Sequence, residues 1–494
     1  MRKKILIFIV AYNAEKHLEK VLDRISPEIF KKYDYEILII DDASSDETFE
    51  VGKLYKAAKK ELNLKILFNP ENQGYGGNQK LGYRYAIIHK FDVVVLLHGD
   101  GQYPPELIEE MCSPILKNEC DAVFGSRMLK KHDALKGGMP LYKYIGNKIL
   151  TFLQNRMLNS SLSEFHSGYR AYSIQALDSI PFERNSNDFH FDTEIIIQFL
   201  MKKLRIKEIP IPTYYGDEIC YVNWLKYAWN VIKATLISRL HRLYVLYERK
   251  YDILGQEKYL SKAGYLSSHS MAIDAVKKGS KVLDLGCGPG YVAKELKNKG
   301  CYVFGVDCFP TMKEDGFDEF LQLNLNDLDR LPEMDTYDYI LLLDIIEHLD
   351  KPEQFLDKIR QNSKRKQPFV IVTVPNVAFF IIRLQLLFSH FNYGKEGILY
   401  FTHKRLFTIK SLVKTVIESG FEVRKIKGIP APFPKAIGNN IYSRLLIRLN
   451  NILIGLNKNI FSYQIYMEII PTVVVSELLE YSMLESAKRE SGKF

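Results

Sequence analysis

The stretch Val282-Leu283-Asp284-Leu285-Gly286-Cys287-Gly288-Pro289-Gly290 runs from an unbroken apolar segment into a glycine-rich turn, and a helical pattern opens at about Tyr291. A continuous rather than alternating apolar run marks a strand buried on both faces, as in a parallel sheet. Glycines let the backbone approach a ligand without an intervening Cβ, and the start of the next helix offers free N–H groups and positive potential. The spacing is G-x-G-x-G, distinct from the G-x-G-x-x-G of dinucleotide pyrophosphate turns. Downstream, Phe304-Gly305-Val306 ends in Asp307, an acid placed to accept both hydroxyls of an adenosine ribose.

Further apolar runs at Tyr302–Val306, Tyr339–Leu343 and Phe369–Val374 continue this series after Lys281–Leu285. A separate series occupies the amino-terminal half. There Ile5–Val10, Tyr35–Ile40, Lys65–Phe68, Val93–Leu97 and Ala122–Phe124 read as strands. Glu15–Arg24, Asp46–Lys59, Asn78–Ile88 and Pro105–Lys117 read as the helices between them, and the pattern stops near Gly216. A chain of 494 residues exceeds what one core usually organises. The expectation is therefore α/β, with two doubly wound domains, each on a parallel sheet, joined by a helical linker. The expected divisions are 1–220, a linker at 221–262, a second domain at 263–430 and a helical cap or extension at 431–494.

Composition narrows the class. The chain is 47% hydrophobic and 26% charged, which suits a globular protein. A net charge of +9 fits phosphorylated substrates or an anionic membrane surface as well as nucleic acid, and so selects none of them. Cys112, Cys120, Cys220, Cys287, Cys301 and Cys308 form no C-x-x-C pair, arguing for reduced thiols in the cytoplasm rather than zinc or disulfides. The Met1-Arg-Lys-Lys start followed by Ile5–Val10 is too short for a signal peptide, and no apolar run reaches the roughly 20 residues of a membrane span.

In the first half, three polar segments follow strands: Tyr12-Asn13-Ala14-Glu15, Asp41-Asp42-Ala43-Ser44-Ser45-Asp46 and His98-Gly99-Asp100-Gly101-Gln102. Ligands bind beyond the carboxyl ends of strands in open α/β sheets. Each segment alone fits turn chemistry or capping, Asp42 or Ser44 serving the helix near Asp46. Together they can hold a ribose, a base and a divalent cation that offsets the charge of a diphosphate leaving group.

With Asn72-Gln73-Gly74-Tyr75-Gly76-Gly77, Gly125-Ser126-Arg127, Ser167-Gly168-Tyr169-Arg170 and Glu208-Ile209-Pro210-Ile211-Pro212, residues 3–218 resemble a family 2 glycosyltransferase of the GT-A fold, in its dolichol-phosphate mannosyltransferase-like branch. The resemblance implies that Tyr12, Glu15 and Asp41 or Asp42 contact the nucleotide of a nucleotide-sugar donor. It implies that Asp100 and Gln102 meet Mg²⁺ or Mn²⁺ and the phosphates, and that Arg127 meets a donor or acceptor phosphate. His98 stands where that family usually has the first acid of Asp-x-Asp; imidazole suits Mn²⁺ better than Mg²⁺. A hydroxyl acceptor needs a general base, for which Glu164 is the nearest carboxylate, whereas a polyprenyl phosphate is already an anion and needs none.

In the second half, Asn324-Leu325-Asn326-Asp327, Asp344-Ile345-Ile346-Glu347-His348, Tyr400-Phe401-Thr402-His403 and Ser419-Gly420-Phe421 accompany the glycine turn. Residues 260–430 resemble class I S-adenosylmethionine-dependent methyltransferases, a Rossmann-like fold. The resemblance implies that Asp284, Gly286, Cys287, Gly288, Gly290 and Asp307 form the cofactor site, with Asn326 near adenine and Asp344 near the methionine moiety. His348 and His403 are the possible bases, or else structural hydrogen-bonding groups, and Cys287 reads as a small residue that fits its turn.

Two helical patterns carry cations beside an apolar stripe. Trp224, Ala228, Val231, Leu236, Leu240, Leu243 and Tyr247 form one; Ile441, Leu445, Leu449, Ile452 and Leu456 form the other. The first packs between domains or lies on an acidic bilayer; the second caps an acceptor pocket or faces a membrane. The combined reading is a bifunctional enzyme, peripheral to a membrane at most, acting on a glycan or lipid-linked acceptor. Two alternatives stay open: a methyltransferase beside a degenerate transferase domain, and a non-catalytic membrane-associated scaffold. No basic-aromatic groove or base-flipping loop points to nucleic acid.

Overall fold

The computed structural model describes residues 2–130, 133–213, 223–243, 245–253, 265–310, 316–363, 367–434, 438, 440–473 and 483. The chain divides into two compact units, one of residues 1–242 and 248–255, the other of residues 243–247 and 256–494.

The first unit holds β1 (Lys4–Ala11), β2 (Asp34–Asp41), β3 (Leu64–Phe68), β4 (Val93–His98), β5 (Ala122–Ser126), β6 (Arg170–Ser173) and β7 (Ile206–Pro210), in the order β3-β2-β1-β4-β6-β5-β7. Alternation along β1 explains its unbroken apolar run. Ile5, Ile7 and Ile9 enter one core with Leu18 and Ile108, while Leu6 and Phe8 enter the core on the opposite face with Tyr83 and Phe191. The sheet is covered on both faces. It is not wholly parallel, as the sequence pattern suggested, because β6 runs antiparallel to β4 and β5. β6, only four residues long, was not among the expected strands.

The second unit holds β8 (Lys281–Leu285), β9 (Tyr302–Asp307), β10 (Glu319–Gln322), β11 (Tyr339–Leu343), β12 (Phe369–Pro375), β13 (Phe421–Ile429) and β14 (Gln464–Pro471), ordered β10-β9-β8-β11-β12-β14-β13. The expected helical cap over 431–494 needs correction. Residues 464–471 return as a buried antiparallel strand between β12 and β13. The helix Ile441–Leu456 buries Ser443 and Asn450, while Ile441, Leu445, Leu449, Ile452 and Leu456 are exposed. Asn450 anchors that polar face, accepting from the amide of Ala431 at 2.9 Å and donating to the carbonyl of Phe461 at 2.9 Å.

The expected boundaries at 220 and 262 lie outside the described residues, as do Gly216 and Cys220. The linker pattern forms the helix Trp224–Arg242, grouped with the first unit and buried along Val231, Ala234, Thr235 and Ser238. Among the described residues no helix is long and apolar enough to cross a membrane.

Gly82, in the helix Tyr75–Ile88, tests how tightly the first unit packs. A Cβ there would lie 2.1 Å from Cε1 of the fully buried Phe8 ring. Helix propensity alone would make Gly82→Ala stabilising by about 1 kcal/mol, but overpacking a core costs about 1–3 kcal/mol. Net destabilisation is expected. Both tryptophans, Trp224 and Trp229, belong to this unit, so fluorescence-detected urea unfolding reports it separately.

Candidate functional sites

The carboxyl edge of β1, β2 and β4 is set by register. Ala11 pairs with Asp41 on one side, and Val10 with His98 on the other. The amide of Asp42 donates to Ala11 O and that of Gly99 to Val10 O, both at 2.9 Å. Two strand spacings then separate Asp41 from His98, about 10 Å. The first two loops are laced together. The amide of Asn13, in the left-handed region at φ 50, donates to Ser44 Oγ at 2.8 Å, and its side-chain oxygen accepts from the Ser45 amide at 2.9 Å. Glu15 Oε2 accepts from the Glu47 amide, and Asp46 Oδ2 from the Glu15 amide.

Asp41 and Asp42 are both buried. Asp42 Oδ1 accepts from Asn69 Nδ2 and from the amide of Gln73. Asp41 Oδ1 accepts from the Ser44 amide at 2.9 Å, while Oδ2, also buried, has no hydrogen-bonding partner in the structure. Burial raises the Asp41 carboxyl above its ordinary range against the Ser44 bonds, and the charges of Asp46 and Asp42 add to the rise. Tyr12 stays exposed beside this edge. A buried carboxylate oxygen without a donor, among like charges, suits a cation or a ligand hydroxyl.

On the other side of β1, Asp100 Oδ1 accepts from the Gln102 amide at 3.0 Å. The His98 ring stands edge-on to Tyr75 and Tyr103, with Nε2 3.1 Å from the Tyr75 hydroxyl. Burial pushes His98 below its ordinary value; Asp100 and Asp192 oppose the push and Arg170 and Arg127 reinforce it. One neighbourhood thus contains Asp100, Asp192, Arg127 and Arg170. Two of these had no assigned role in the sequence reading. Arg170 is fully buried, donating to the carbonyls of Ser167, Asp192 and Phe165. Asp192 accepts from Gln79 Nε2 and the Tyr75 hydroxyl. Sequence reasoning missed both; the packing at Gly168, where a Cβ would come within 2.7 Å of both His98 Nε2 and the Tyr75 hydroxyl, becomes visible only in the fold.

Glu164 is buried, and both its oxygens face Arg127: Oε2 accepts from the Arg127 amide at 2.7 Å, and Oε1 from Nε at 3.0 Å. Asn147 Nδ2 also donates to Oε1. Burial raises this carboxyl, but the Arg127 charge and hydrogen bonds outweigh it, and the net shift is downward. The geometry makes Glu164 an anchor for Arg127; a carboxylate held ionised in this way is a weak proton acceptor.

In the second unit the glycine turn lies where β8 ends. The amides of Gly286 and Cys287 donate to Val306 O, and Gly288 N donates to Asp307 Oδ2 at 2.8 Å. Gly286 sits at φ 84, and a Cβ there would fall 2.0 Å from Cδ1 of Ile345. Asp284, Gly286, Cys287, Tyr291 and His269 line a small cavity in the turn. Burial, then the charge of Asp307, raises the Asp284 carboxyl to about 7. Burial also raises the Cys287 thiol strongly, which fits a packing role. The backbone of Gly290, at φ 77, opens the helix Tyr291–Asn298.

Asp344, at φ 58, accepts from Thr373 Oγ1, Gln464 Nε2 and Ser268 Oγ. Asn326 is exposed, its Oδ1 accepting from the Asp350 amide. His348 and His403 stand edge to face, ring centroids 4.8 Å apart. Nδ1 of His403 lies 2.8 Å from Ile398 O; Nδ1 of His348 lies 3.2 Å from Thr402 O and 3.0 Å from Thr402 Oγ1. Burial lowers the His348 value, favouring the neutral ring.

Residues 6–180 match the family described as Glycosyl transferase family 2, and residues 263–426 match a Methyltransferase domain. A UDP-N-acetylglucosamine–dolichyl-phosphate N-acetylglucosaminyltransferase of Methanococcus voltae is 30% identical over 226 residues, covering 44% of this chain and 87% of the relative. A dolichol-phosphate mannosyltransferase of Pyrococcus furiosus is 26% identical over 277 residues, covering 53% and 71%. Among solved structures, mannosyl-3-phosphoglycerate synthase from Rubrobacter xylanophilus is 16% identical with a TM-score of 0.39, covering 52% of this chain and 79% of that one. The amino-terminal half of the chain belongs to glycosyl transferase family 2, and the carboxyl-terminal half carries a methyltransferase domain.

Proposed function

We propose that the first unit transfers a sugar from a nucleoside-diphosphate donor to a polyprenyl-phosphate-type acceptor, and that the second methylates a related sugar or small molecule with S-adenosylmethionine. The observation that carries the first half is the meeting of three polar loops at the edge of β2, β1 and β4, with buried Asp41 and Asp42 on one side and Asp100 on the other. Tyr12, Glu15, Asp41 and Asp42 would hold the nucleoside. Asp100, with Gln102, would meet a divalent cation that offsets leaving-group charge. His98, already engaged by Tyr75, would need to change partners to join them. An anionic acceptor removes the need for a base, in accord with the anchored Glu164. Relatives named for dolichyl-phosphate acceptors support the same reading.

Two helices of the first unit support an acceptor presented at a bilayer. Leu141–Leu158 buries Asn147, Thr151 and Gln154 but exposes Leu141, Tyr142, Ile145, Ile149 and Phe152. Trp224–Arg242 exposes Trp224, Leu225 and Trp229. An exposed apolar face of this kind, with lysines nearby, fits the boundary of an anionic membrane.

For the second unit, the glycine turn, Asp307 and the buried acid Asp284 support an adenosine bearing a cationic sulfonium. Gly286, Gly288 and Asp307 would bind, with Asn326 near adenine and Asp344 bordering the methionine side. The sulfonium supplies an electrophilic methyl, so the protein's part is in-line placement and removal of the acceptor's proton; His348 and His403 stand beside that edge. The chain's second reading, a working methyltransferase beside an inactive transferase, draws on the engagement of His98.

Three outcomes are expected. Incubation with UDP- and GDP-sugars, polyprenyl phosphate and labelled S-adenosylmethionine should give, by mass spectrometry, a glycosylated lipid phosphate; calorimetric titration of those sugars with Mn²⁺ should show binding that Asp100→Ala weakens at least about tenfold. No donor binding to the wild type favours the second reading.

S-adenosylmethionine affinity should fall in Asp307→Ala and depend on pH through Asp284. In the folded unit Asp284 keeps its proton up to about 7, against 3.8 ordinarily. Its stabilising contribution is therefore full at acid pH and lost as pH rises through about 7. A cationic ligand favours the ionised form, so affinity measured by calorimetry should rise between about pH 6 and 8, and Asp284→Asn should flatten both dependences.

Finally, the chain should float with anionic liposomes, and Ile149→Glu with Phe152→Glu should reduce flotation; an unchanged fraction would remove the membrane reading.

A further inference from the structure

Glu347, His348 and His403 bring one donor atom each to a common point, all three within 4.8 Å of one another, and no other group of three His, Cys, Asp or Glu donors among the described residues does so. The group is built by main-chain pairing rather than by chance proximity of surface side chains. The turn Ile346–His348 follows β11, and its Glu347 carbonyl accepts from the amides of Lys404 at 2.8 Å and Arg405 at 3.1 Å. Those bonds fasten the segment carrying His403 against the one carrying Glu347 and His348. Glu347 is buried at 1% exposure and His403 at 9%.

Nδ1 of His403 meets the Ile398 carbonyl at 2.8 Å, so a proton there leaves the lone pair on Nε2 and fixes the ring, the arrangement usual around metal-bound histidine. Nδ1 of His348 lies 3.0 Å from Thr402 Oγ1 and 3.2 Å from Thr402 O, which fix the ring whichever nitrogen carries the proton. The cations that neighbour the group in sequence are directed elsewhere: Lys404 pairs with Asp350 and Arg405 with Glu353.

We propose that Glu347, His348 and His403 form a binding site for a divalent transition-metal ion. Two imidazoles and one carboxylate suit Mn²⁺, Fe²⁺, Co²⁺ or Zn²⁺ better than Mg²⁺ or Ca²⁺, which prefer all-oxygen surroundings. Three protein ligands leave positions open for water or a substrate oxygen. Gly286 abuts Ile345, two residues before Glu347, so the site borders the glycine turn. Resting on the methyltransferase reading, the open positions would take a hydroxyl of the acceptor. Engaged as ligands, the two imidazoles would not serve as bases; the hydroxyl would lose its proton to solvent, and its oxygen would bond to the methyl carbon as the carbon–sulfur bond breaks, leaving a neutral thioether. The acceptor class that follows is a hydroxylated one, such as a sugar.

The test measures metal, not methylation, so it stands apart from the methyltransferase reading. The chain carrying Asp100→Ala, which silences the cation proposed for the first unit, is stripped with chelator and dialysed against Co²⁺ or Zn²⁺. One equivalent should be retained, with Co²⁺ giving visible d–d absorption. Glu347→Gln, His348→Ala and His403→Ala should each weaken retention at least about tenfold. His348→Ala, the half-buried position, serves as the variant least able to disturb folding, and circular dichroism verifies each fold. No retained metal in the parent, or retention within twofold of the parent in all three folded variants, overturns the proposal.

Discussion

Buried carboxylates gathered at strand ends repel one another, and both units are organised around such a group: Asp284 and Asp307 from neighbouring parallel strands in the second unit, Asp41 and Asp42 from the end of β2 in the first. In the second unit Asp284 pairs in register with Gly305, two residues before Asp307, so the strands themselves hold the acids close. The ladder holds the two acids at that spacing, and burial first, then the charge of Asp307, leaves Asp284 holding its proton up to about 7. In the first unit Asp41, Asp42 and Asp46 share one loop, and the field of the other two lifts Asp41 further. What offsets the repulsion is a set of fixed N–H donors: Gly288 and Phe309 on Asp307, Ser44 on Asp41, Gln73 on Asp42. Backbone donors supply partial charge only, so each crevice remains biased towards a positively charged visitor.

Loop lacing makes that bias usable. Ser44 and Ser45 bind Asn13, while Glu15 and Asp46 each take an amide from the opposite loop. The loops thereby become one rim rather than separate excursions, and a ligand meets donors and acceptors already placed. Glu164 does similar service for Arg127, and Arg170 for the segment Phe165–Ser167 and for Asp192. A fully buried guanidinium giving three main-chain bonds is costly to remove from water and persists where it determines a loop's path.

How far the sequence could be read follows from how local each signal is. The nine expected strands were legible because each carries a local apolar run; most are buried on both faces, though β3 is only half-buried. β6, β7, β10, β13 and β14 were not: β10 and β13 are largely open to solvent, β7 carries few apolar residues, and β14 finds its place through partners ninety residues away in β12. Of the site residues, the acids after β1, β2, β4, β8 and β9 could be located because strand ends advertise themselves. Asp192 and Arg170 could not, since their role depends on a helix and a loop that meet only in three dimensions. Glu164 illustrates the opposite error: a lone acid near a motif looks like a base until its partner is seen.

The apolar helices show a further limit. Periodicity tells that a stripe exists, not which way it points. In Ile441–Leu456 the inward side is mixed: Ser443 and Asn450, the latter through two hydrogen bonds, are buried beside half-buried Leu446, Ile447, Leu453 and Ile454. Each such bond contributes about 1 kcal/mol, whereas every large aliphatic side chain left in water forgoes about 1.5–3 kcal/mol. Leu141–Leu158 likewise buries Asn147, Thr151 and Gln154, with Leu158 beside them, while Leu141, Tyr142, Ile145, Ile149 and Phe152 are exposed. An exposed apolar face of this kind, present in each unit, is one that gains by being covered.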